Sequence, residues 1–168
     1  MRRRRNLLCE DIRDIMNTGL AKTTIVTVLC YDPERRAILL VEQAHPDGRR
    51  AWALPGGTWE PNESAEEAAI REMLEETGLP VRLLGLYDSR VEVVMTEQGK
   101  VGVYILTYEA QCPAHPPQPQ DPDAQVIRAA WVPVEALFHL PFAHPGQLNI
   151  ILRYLKEKGY ETFAHRNP

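Results

Sequence analysis

The sequence predicts an α/β domain with a mixed central sheet. β-branched and apolar runs typical of strands lie on both sides of one well-defined helix, and the strands include both hairpin neighbours and more distant segments. The chain has 168 residues, of which 44% are hydrophobic and 25% charged, as in ordinary globular domains. A chain of this length buries roughly 70% of the surface that its unfolded form exposes. We therefore expect residues 1–168 to form a single domain.

Composition excludes several classes of protein. The longest apolar stretches, around residues 25–30 and 37–41, are much shorter than the roughly 18 to 20 residues of a membrane span, so we expect no membrane association. Cys9, Cys30 and Cys112 are odd in number and form no C-x-x-C pair, which argues against a disulfide framework or a zinc site. This cysteine usage favours the cytoplasm, and no apolar secretion segment follows the first residues.

Charge argues against binding to duplex DNA. The chain carries 19 Lys and Arg against 23 Asp and Glu, a net charge of -4, whereas affinity for phosphate backbones requires clustered basic residues. The exception is the run Arg2, Arg3, Arg4 and Arg5. It is interpreted either as a solvated tail or as a contact to phosphate or RNA.

The N-terminal elements follow from local patterns. Residues 1–18 are expected to be a tail followed by a short helix over 6–18, and the β-branched run 23–29 predicts a strand that ends in a turn at 31–34. Residues 37–41 are continuously apolar and predict a second strand covered on both faces. After a polar segment, residues 52–57 predict a loop for close backbone approach, because Pro55 lacks a donor and Gly56 and Gly57 lack a Cβ.

The clearest helix follows that loop. Asn62 or Ser64 is a suitable N-cap, the helix continues to Thr77, and Gly78 is a suitable left-handed C-terminal stop. Further strands are predicted over 81–87, 91–95, 101–108 and 127–132, with a hairpin loop at 98–100. Residues 111–123 contain five prolines and predict a stiff extended loop. A short helical turn at 134–137 and an amphipathic helix over 147–158 complete the chain.

Three carboxylates cluster on the central helix. On a helical wheel, Glu72, Glu75 and Glu76 fall within roughly one 100° arc. The opposite side is expected to face the core; it carries Ile70, Met73, Leu74 and Thr77. Like charges at i, i+4 repel, and the helix C-terminus disfavours anions, so a positive group should offset the cluster. Mg²⁺ bound by carboxylates, waters and substrate phosphates is one solution, and a solvated acidic face partly neutralised by Arg71 is the other.

The same residues complete a known pattern. Gly57, Glu63, Arg71, Glu72, Glu75, Glu76 and Gly78, with Met73 and Leu79 at the aliphatic positions, occur at the spacing G-x5-E-x7-R-E-U-x-E-E-x-G-U. This stretch, Gly57 to Leu79, resembles the Nudix box at every specified position, which is a far stronger signal than a lone glycine loop. The preceding Trp52 to Gly56 is similar to the usual lead-in. The resemblance implies the Nudix α/β/α sandwich with a mixed central sheet.

The resemblance also implies an activity and roles for individual residues. It implies hydrolysis of a nucleoside diphosphate linked to another group, with Glu72, Glu75, Glu76 and the Gly56 carbonyl holding Mg²⁺ or Mn²⁺. Arg71 and Glu63 would orient that cluster. Glu72 is the favoured general base or metal ligand, Gly57 and Trp59 are candidates to contact substrate, and a homodimer is an analogy to relatives.

One position departs from the family pattern. Many relatives carry a further acid about six residues before a tryptophan, here Trp131, and this chain has Gln125 there. Asp121 and Asp123 are nearby and are candidates to replace it as a metal ligand, or they form a turn in the proline-rich loop. Glu92 and Glu97 are weaker alternatives.

The sequence leaves the substrate open. A nucleoside triphosphate or deoxynucleoside triphosphate and a nucleotide sugar such as ADP-ribose all suit the box. Two other functions remain as alternatives: a non-catalytic nucleotide-binding Nudix domain, and an RNA 5′-end pyrophosphohydrolase that uses the arginine run. A complete set of box carboxylates favours catalysis.

Overall fold

The computed structural model describes residues 21–44, 48–96, 99–120, 122 and 125–160. The predicted helix at 6–18, the arginine run and Gln98 of the predicted hairpin loop lie outside the described residues, so those predictions stay untested. None of the helices within these ranges is long and apolar enough to cross a bilayer.

The described elements are four strands, a helix, three further strands, a 3₁₀ helix and a last helix. In chain order they are β1 (Ala21–Asp32), β2 (Ala37–Ala44), β3 (Arg50–Ala53), β4 (Gly56–Thr58), α1 (Ala65–Thr77), β5 (Arg82–Thr96), β6 (Gly99–Gln111), β7 (Val126–Pro133), a 3₁₀ helix (Val134–His139) and α2 (Pro145–Glu157). Within the described residues the predicted strands and helices are present, with longer strands than the local patterns indicated.

The sheet is mixed, as predicted. Its strand order is β3-β2-β1-β6-β5, while β4 also pairs with β1 and β7 with β2. β1 and β6 run parallel, and the other named pairs run antiparallel. The parallel β1–β6 pair lies at the centre, where both faces of the sheet are covered.

Two hydrophobic clusters lie on opposite faces of this sheet. On one face α1 packs through Ala68, Ala69 and Met73 against β1 residues that include Val26 and Val28. On the other face α2 and the 3₁₀ helix pack against β2, with Ile151, Leu155 and Leu137 fully buried. Helices on both faces of a mixed sheet make the α/β/α sandwich that the sequence predicts.

The segment 52–57 is not one continuous loop, which corrects the prediction: only Leu54 and Pro55 lie between two strands. Trp52 belongs to β3, which pairs with β2, and Gly56 and Gly57 belong to β4, which pairs with β1. Gly56 has φ 154° and lies so close to Val26 that a Cβ on it would overlap the Val26 carbonyl. The glycines allow close backbone approach, as expected, but they do so by pairing as a strand.

Strand β5 is continuous, where the sequence predicts two strands at 81–87 and 91–95. It pairs with β6 from Arg82 to Thr96, with irregular register between Leu83 and Gly85 and between Leu86 and Asp88. The polar segment between the predicted strands stays in the sheet because its charges pair: Arg90 contacts Asp88 at 3.1 Å and Glu92 at 2.8 Å.

The ends of α1 match the sequence prediction. Ser64, one of the two candidate N-caps, accepts a hydrogen bond from the Glu67 amide, and the Glu67 carboxylate accepts one from the Ser64 amide, so a full capping box is present. Gly78 ends the helix at φ 69°, in the left-handed region, and its amide donates to Leu74.

The predicted faces of α1 are partly wrong. Met73 and Thr77 are fully buried, as expected, but Ile70 is 42% and Leu74 50% exposed, while Glu76 is only 6% exposed. The helix packs on the sheet through its small residues and Met73, which rotates the face carrying Ile70 and Leu74 toward solvent. Glu76 therefore lies at the margin of the core face and not on an open acidic surface.

Candidate active site

The three clustered carboxylates line one polar cleft. This cleft has a volume of about 400 Å³, and its walls come from the C-terminal half of α1, from β4 and from the end of the proline-rich loop. Glu72, Glu75 and Glu76 all contribute to it, together with Gly56 and Gly57. The packing of α1 against β4 therefore brings together two parts of the box that are 15 to 20 residues apart in sequence.

Arg71 is the cation nearest to these carboxylates. Its Nε and Nη2 donate to the two oxygens of Glu63 at 3.1 and 2.7 Å, and Nη2 also donates to the Thr58 carbonyl. Its Nη1 donates to Glu72 at 2.9 Å and to Glu75 at 3.3 Å. The guanidinium group is thus held by Glu63 and partly neutralises Glu72 and Glu75, which is the offset that the sequence requires.

Glu63 responds to this pairing. The hydrogen bonds from Arg71, followed by one from the Glu60 amide, hold the pKa of Glu63 below its usual range. Glu63 therefore stays ionised and keeps the guanidinium group oriented toward α1.

Glu76 is fixed by backbone as well as by a side chain. Its Oε2 accepts a hydrogen bond from the Gly56 amide at 2.8 Å, and its Oε1 lies 3.5 Å from Gln43 Nε2. Burial of a carboxylate requires such donors, because an unpaired buried charge is costly. The Gly56 contact also places the β4 backbone at the edge of the cleft.

Glu72 lies in the tightest position of the cluster. A Cβ on Gly57 would overlap its carboxylate, so the glycine provides the space that the Glu72 side chain occupies. Burial raises the pKa of Glu72, and the hydrogen bond from Arg71 opposes this without cancelling it. A raised pKa means that this carboxylate takes up a proton more readily than an exposed one. A nearby cation would instead stabilise its ionised form.

The donor set suits a hard divalent cation. Mg²⁺ takes oxygen ligands and is usually held by one or two carboxylates with waters and substrate phosphates, and this cleft offers three carboxylates. In the described ranges no three His, Cys, Asp or Glu side chains are already gathered closely enough to hold a metal. Arg71 donates to oxygens of Glu72 and Glu75, and the Gly56 amide donates to an oxygen of Glu76.

The other predicted site residues have different positions. Trp59 is 40% exposed, and its indole Nε1 donates to the Glu63 carbonyl at 2.8 Å; it is not part of the cleft wall. Asp121 and Asp123 lie outside the described residues, so their role as ligands stays a prediction. Gln125, which stands at the position of the expected acid, does line the cleft.

A second, largely apolar pocket of about 340 Å³ adjoins the cleft. Ile25, Val103 and Ile105 of the sheet form its floor, and Leu54 and the N-terminal turn of α2 close its sides. Both cavities share wall residues: Gln43, Gly56, Gly57 and Thr58. We call this second cavity the apolar pocket.

Two polar residues of these cavities were not singled out by sequence reasoning. Gln43 lies near the end of β2 and Gln147 lies on α2, so both are outside the box in sequence. Neither glutamine belongs to a recognisable sequence motif. Only the packing of β2 and α2 around β4 brings the two side chains to the site.

Comparison with known proteins identifies the family of this chain. Residues 21–154 match the family description "NUDIX domain", which covers most of the chain. The chain belongs to the Nudix family.

Curated relatives of the chain are named as hydrolases or phosphatases. It is 25% identical over 163 residues to Nudix hydrolase 6 of Arabidopsis thaliana, an alignment that covers 92% of this chain and 56% of the relative. It is 31% identical over 118 residues to the 8-oxo-dGDP phosphatase of Homo sapiens, covering 67% of this chain and 33% of the relative. The chain thus spans about half or less of the length of these relatives.

Solved structures share the fold. A NUDIX hydrolase from Nitrosomonas europaea superposes with a TM-score of 0.68 at 22% identity, over 87% of this chain and 97% of that chain. The Mutator MutT protein of Bacillus halodurans superposes with a TM-score of 0.62 at 27% identity, over 79% and 82% of the two chains.

Proposed function

We propose that this chain hydrolyses a pyrophosphate bond in a nucleoside diphosphate derivative, using Mg²⁺ or Mn²⁺. The observation that carries the proposal is that the carboxylate cleft and the apolar pocket share Gly56, Gly57 and Thr58 in their walls. The first cavity suits a metal-bound pyrophosphate and the second an aromatic base. A nucleotide joins these two chemistries in one molecule.

Each box residue has a distinct role in this proposal. Glu72, Glu75 and Glu76 would hold the metal, with the Gly56 carbonyl as a further ligand and Asp123 as a candidate ligand. When bound, the metal would neutralise charge on the pyrophosphate oxygens. Glu72 is the favoured proton acceptor from the attacking water, or a metal ligand, because it lies in the tightest position of the carboxylate cluster, against Gly57. Arg71, fixed by Glu63, would keep Glu72 and Glu75 oriented.

A nucleoside di- or triphosphate is the favoured substrate class. The human relative is named for a phosphatase activity on 8-oxo-dGDP, which supports a nucleotide with a free terminal phosphate. ADP-ribose is the second candidate. A NUDIX domain from Shewanella oneidensis, 23% identical to this chain, was solved with ADP-ribose bound.

Two further functions have weaker support. A non-catalytic nucleotide-binding domain would not need all three carboxylates in one cleft. An RNA 5′-end pyrophosphohydrolase would use the arginine run at residues 2–5, which lies outside the described residues. Four expectations from the sequence stay predictions. They are location in the cytoplasm, a single domain over residues 1–168, substrate contacts by Gly57 and Trp59, and a homodimer.

Glu76→Gln tests the proposed activity. The substitution removes one charge with little change in shape, so turnover should fall by roughly two or more orders of magnitude while the fold persists. The measurement is phosphate release from nucleoside triphosphates, nucleoside diphosphates and ADP-ribose, with Mg²⁺, with Mn²⁺ or with EDTA. Wild-type protein should be inactive in EDTA.

Glu66→Gln is the matched control. Glu66 is on the same helix, but it is exposed and accepts a hydrogen bond from the Tyr108 hydroxyl, so its substitution should leave turnover unchanged. Near-normal turnover of Glu76→Gln, with both variants folded by circular dichroism, would reject the metal-site assignment. Hydrolysis that persists in EDTA would reject metal dependence.

A further inference from the structure

The proline-rich loop lies against the end of the helix that carries the box. Within it, residues 114–120 have the sequence A-H-P-P-Q-P-Q, and we call this segment the strap. Its three prolines lack a backbone amide hydrogen. Between residues 116 and 120 the chain therefore has only two backbone donors, the amides of Gln118 and Gln120.

Both of these donors bind the last turn of α1. The Gln118 N–H donates to the Thr77 carbonyl at 2.8 Å, and the Gln120 N–H donates to the Glu75 carbonyl at 2.7 Å. The last four carbonyls of a helix have no partner within the helix, and they form the negative end of its dipole. The strap thus satisfies two carbonyls at the point where the acidic cluster adds further negative charge.

The strap approaches α1 closely because the helix ends in a glycine. A Cβ on Gly78 would overlap the carbonyl oxygen of Gln118. Gly78 also adopts the left-handed φ of 69° that ends the helix. The same residue therefore stops α1 and leaves room for the strap to reach the carbonyls of the last turn.

Two side chains hold the beginning of the strap. The indole Nε1–H of Trp131, on β7, donates to the His115 carbonyl at 3.1 Å. Arg35, in the turn after β1, donates to the Ala114 carbonyl. Prolines fix φ and stiffen an extended chain, so the position of His115 is transmitted to the two amides that bind α1.

Glu75 is the least restrained of the three clustered carboxylates. The Glu76 carboxylate accepts from the Gly56 amide at 2.8 Å, and the Glu72 carboxylate accepts from Arg71 at 2.9 Å. Among the described residues, the Glu75 carboxylate accepts only from Arg71, at 3.3 Å, and its side chain is 34% exposed. The direction of this side chain therefore depends mainly on its backbone, whose carbonyl the strap binds.

We propose that the strap positions Glu75 for metal binding and that Trp131, which holds the strap, is a positioning residue. The inference rests on the proposed function, because it takes Glu75 as a metal ligand. Among the described residues, neither Trp131 nor any residue of the strap lines the carboxylate cleft, so both act through the backbone of α1. When the strap shifts, the last turn of α1 shifts with it, and the metal loses one well-placed ligand.

The first experiment measures metal binding without turnover. Trp131→Phe removes the indole donor but keeps an aromatic ring packed beside the cluster under α1, so the fold should persist. The dissociation constant for Mn²⁺, from electron paramagnetic resonance of the free ion, should rise about three- to tenfold, less than the roughly 10- to 100-fold effect of groups that contact a ligand directly. At saturating metal, kcat should stay within about twofold of wild type.

Tyr87→Phe is the matched control. It also removes one hydrogen-bond donor from an aromatic side chain, since the Tyr87 hydroxyl donates to Glu157 at 2.9 Å. Tyr87 lines neither the cleft nor the apolar pocket. The control should keep the Mn²⁺ affinity of wild type, even where thermal unfolding shows that it has lost as much stability as Trp131→Phe. Loss of stability by itself then does not account for a change in metal affinity.

Hydrogen exchange reports on the strap directly. Because residues 116–120 contain only two amide hydrogens, mass spectrometry of this segment measures the bonds of Gln118 and Gln120 to α1. We expect both amides to exchange slowly in wild type and roughly threefold or more faster in Trp131→Phe. Equal exchange in the two proteins would show that Trp131 does not hold the strap.

A double variant tests whether the strap acts through Glu75. Glu75→Gln should weaken Mn²⁺ binding by itself, because it removes a ligand charge. Adding Trp131→Phe should then cause no further loss of affinity, since two changes that act on one ligand are not additive. Additive losses would show that Trp131 acts elsewhere and would overturn the inference.

The outcomes separate this inference from the proposed function. If wild type binds Mn²⁺ and Trp131→Phe binds it equally well, the strap inference is wrong whatever the exchange rates, and the hydrolase proposal stands. If folded wild-type protein neither binds Mn²⁺ nor loses activity in EDTA, both are wrong. Weaker Mn²⁺ binding in Trp131→Phe, with kcat restored at high metal concentration and an unchanged control, supports the inference.

Discussion

Arg71 binds Glu63 through two hydrogen bonds, from Nε to one carboxylate oxygen and from Nη2 to the other, at 3.1 and 2.7 Å. This paired contact leaves Nη1 free to reach Glu72 and Glu75 on the same helix. A loop residue thus determines the direction of a helix side chain that neutralises part of the carboxylate cluster.

Arg71→Lys should impair turnover because an ammonium group lacks the planar fork that contacts Glu63 and Glu72 at once. We expect kcat to fall roughly 10- to 100-fold, with a higher Mg²⁺ concentration needed for half-maximal activity. Steady-state kinetics over a Mg²⁺ series measures both effects. Arg82→Lys, at an exposed position on β5 where the arginine donates to the neutral side chain of Gln111, is the control. If Arg71→Lys matched wild type in both kcat and metal requirement, the orienting role would be wrong.

Alanine substitutions at the adjacent residues Gly56 and Gly57 should have different effects on stability and turnover. In Gly57→Ala the new methyl meets only the flexible end of Glu72, so the fold should persist while turnover falls at least tenfold. In Gly56→Ala it meets the Val26 backbone at a φ of 154°, so the protein should be destabilised by about 2 kcal/mol or more. Thermal unfolding and kinetics on both variants test this contrast, and an active, stable Gly56→Ala protein would contradict it.

Ser64→Ala should destabilise the protein through the start of α1. The hydroxyl accepts the Glu67 amide at 3.1 Å, and loss of an N-cap costs about 1 kcal/mol. Urea unfolding at neutral pH gives the change in free energy of unfolding. Ser89→Ala, at an exposed position in β5, should be close to neutral. Equal stability of the two variants would mean that the cap contributes nothing measurable.

Glu109 should contribute stability that depends on acid. Burial would raise its pKa, but hydrogen bonds from Lys158 and Tyr154 outweigh burial and hold the pKa below its usual range. A carboxyl group whose pKa is lowered on folding stabilises the protein above its unfolded pKa, near 4.5, and loses this effect as the pH falls through the folded value.

Glu109→Gln should therefore be less stable than wild type at pH 7, by less than about 1 kcal/mol because Lys158 is partly exposed. The difference should shrink as the pH falls below about 4.5. Urea unfolding at several pH values measures it, with Glu135→Gln as the control. A difference that is constant with pH would show that Glu109 acts through packing and not through charge.

The sequence by itself determined the helix that carries the box and the three carboxylates of that helix that line the cleft. Ser64, Glu67 and Gly78 specify where α1 begins and ends through local hydrogen bonds and a left-handed φ, and such contacts need no distant partner. Spacing on that helix was enough to group Glu72, Glu75 and Glu76. The apolar run that became β2 was equally readable, because burial on both faces leaves only apolar residues.

Tertiary structure alone decided which way the helix faces and what completes the site. The wheel indicated Ile70 and Leu74 as core, but packing of small residues and Met73 on β1 turned both to solvent and buried Glu76 beside the Gly56 amide. Local patterns cannot specify this rotation, since it depends on the shape of the sheet against which the helix packs. Gln147 meets Leu54 across 93 residues of chain, and only the folded sheet brings their atoms within hydrogen-bonding distance.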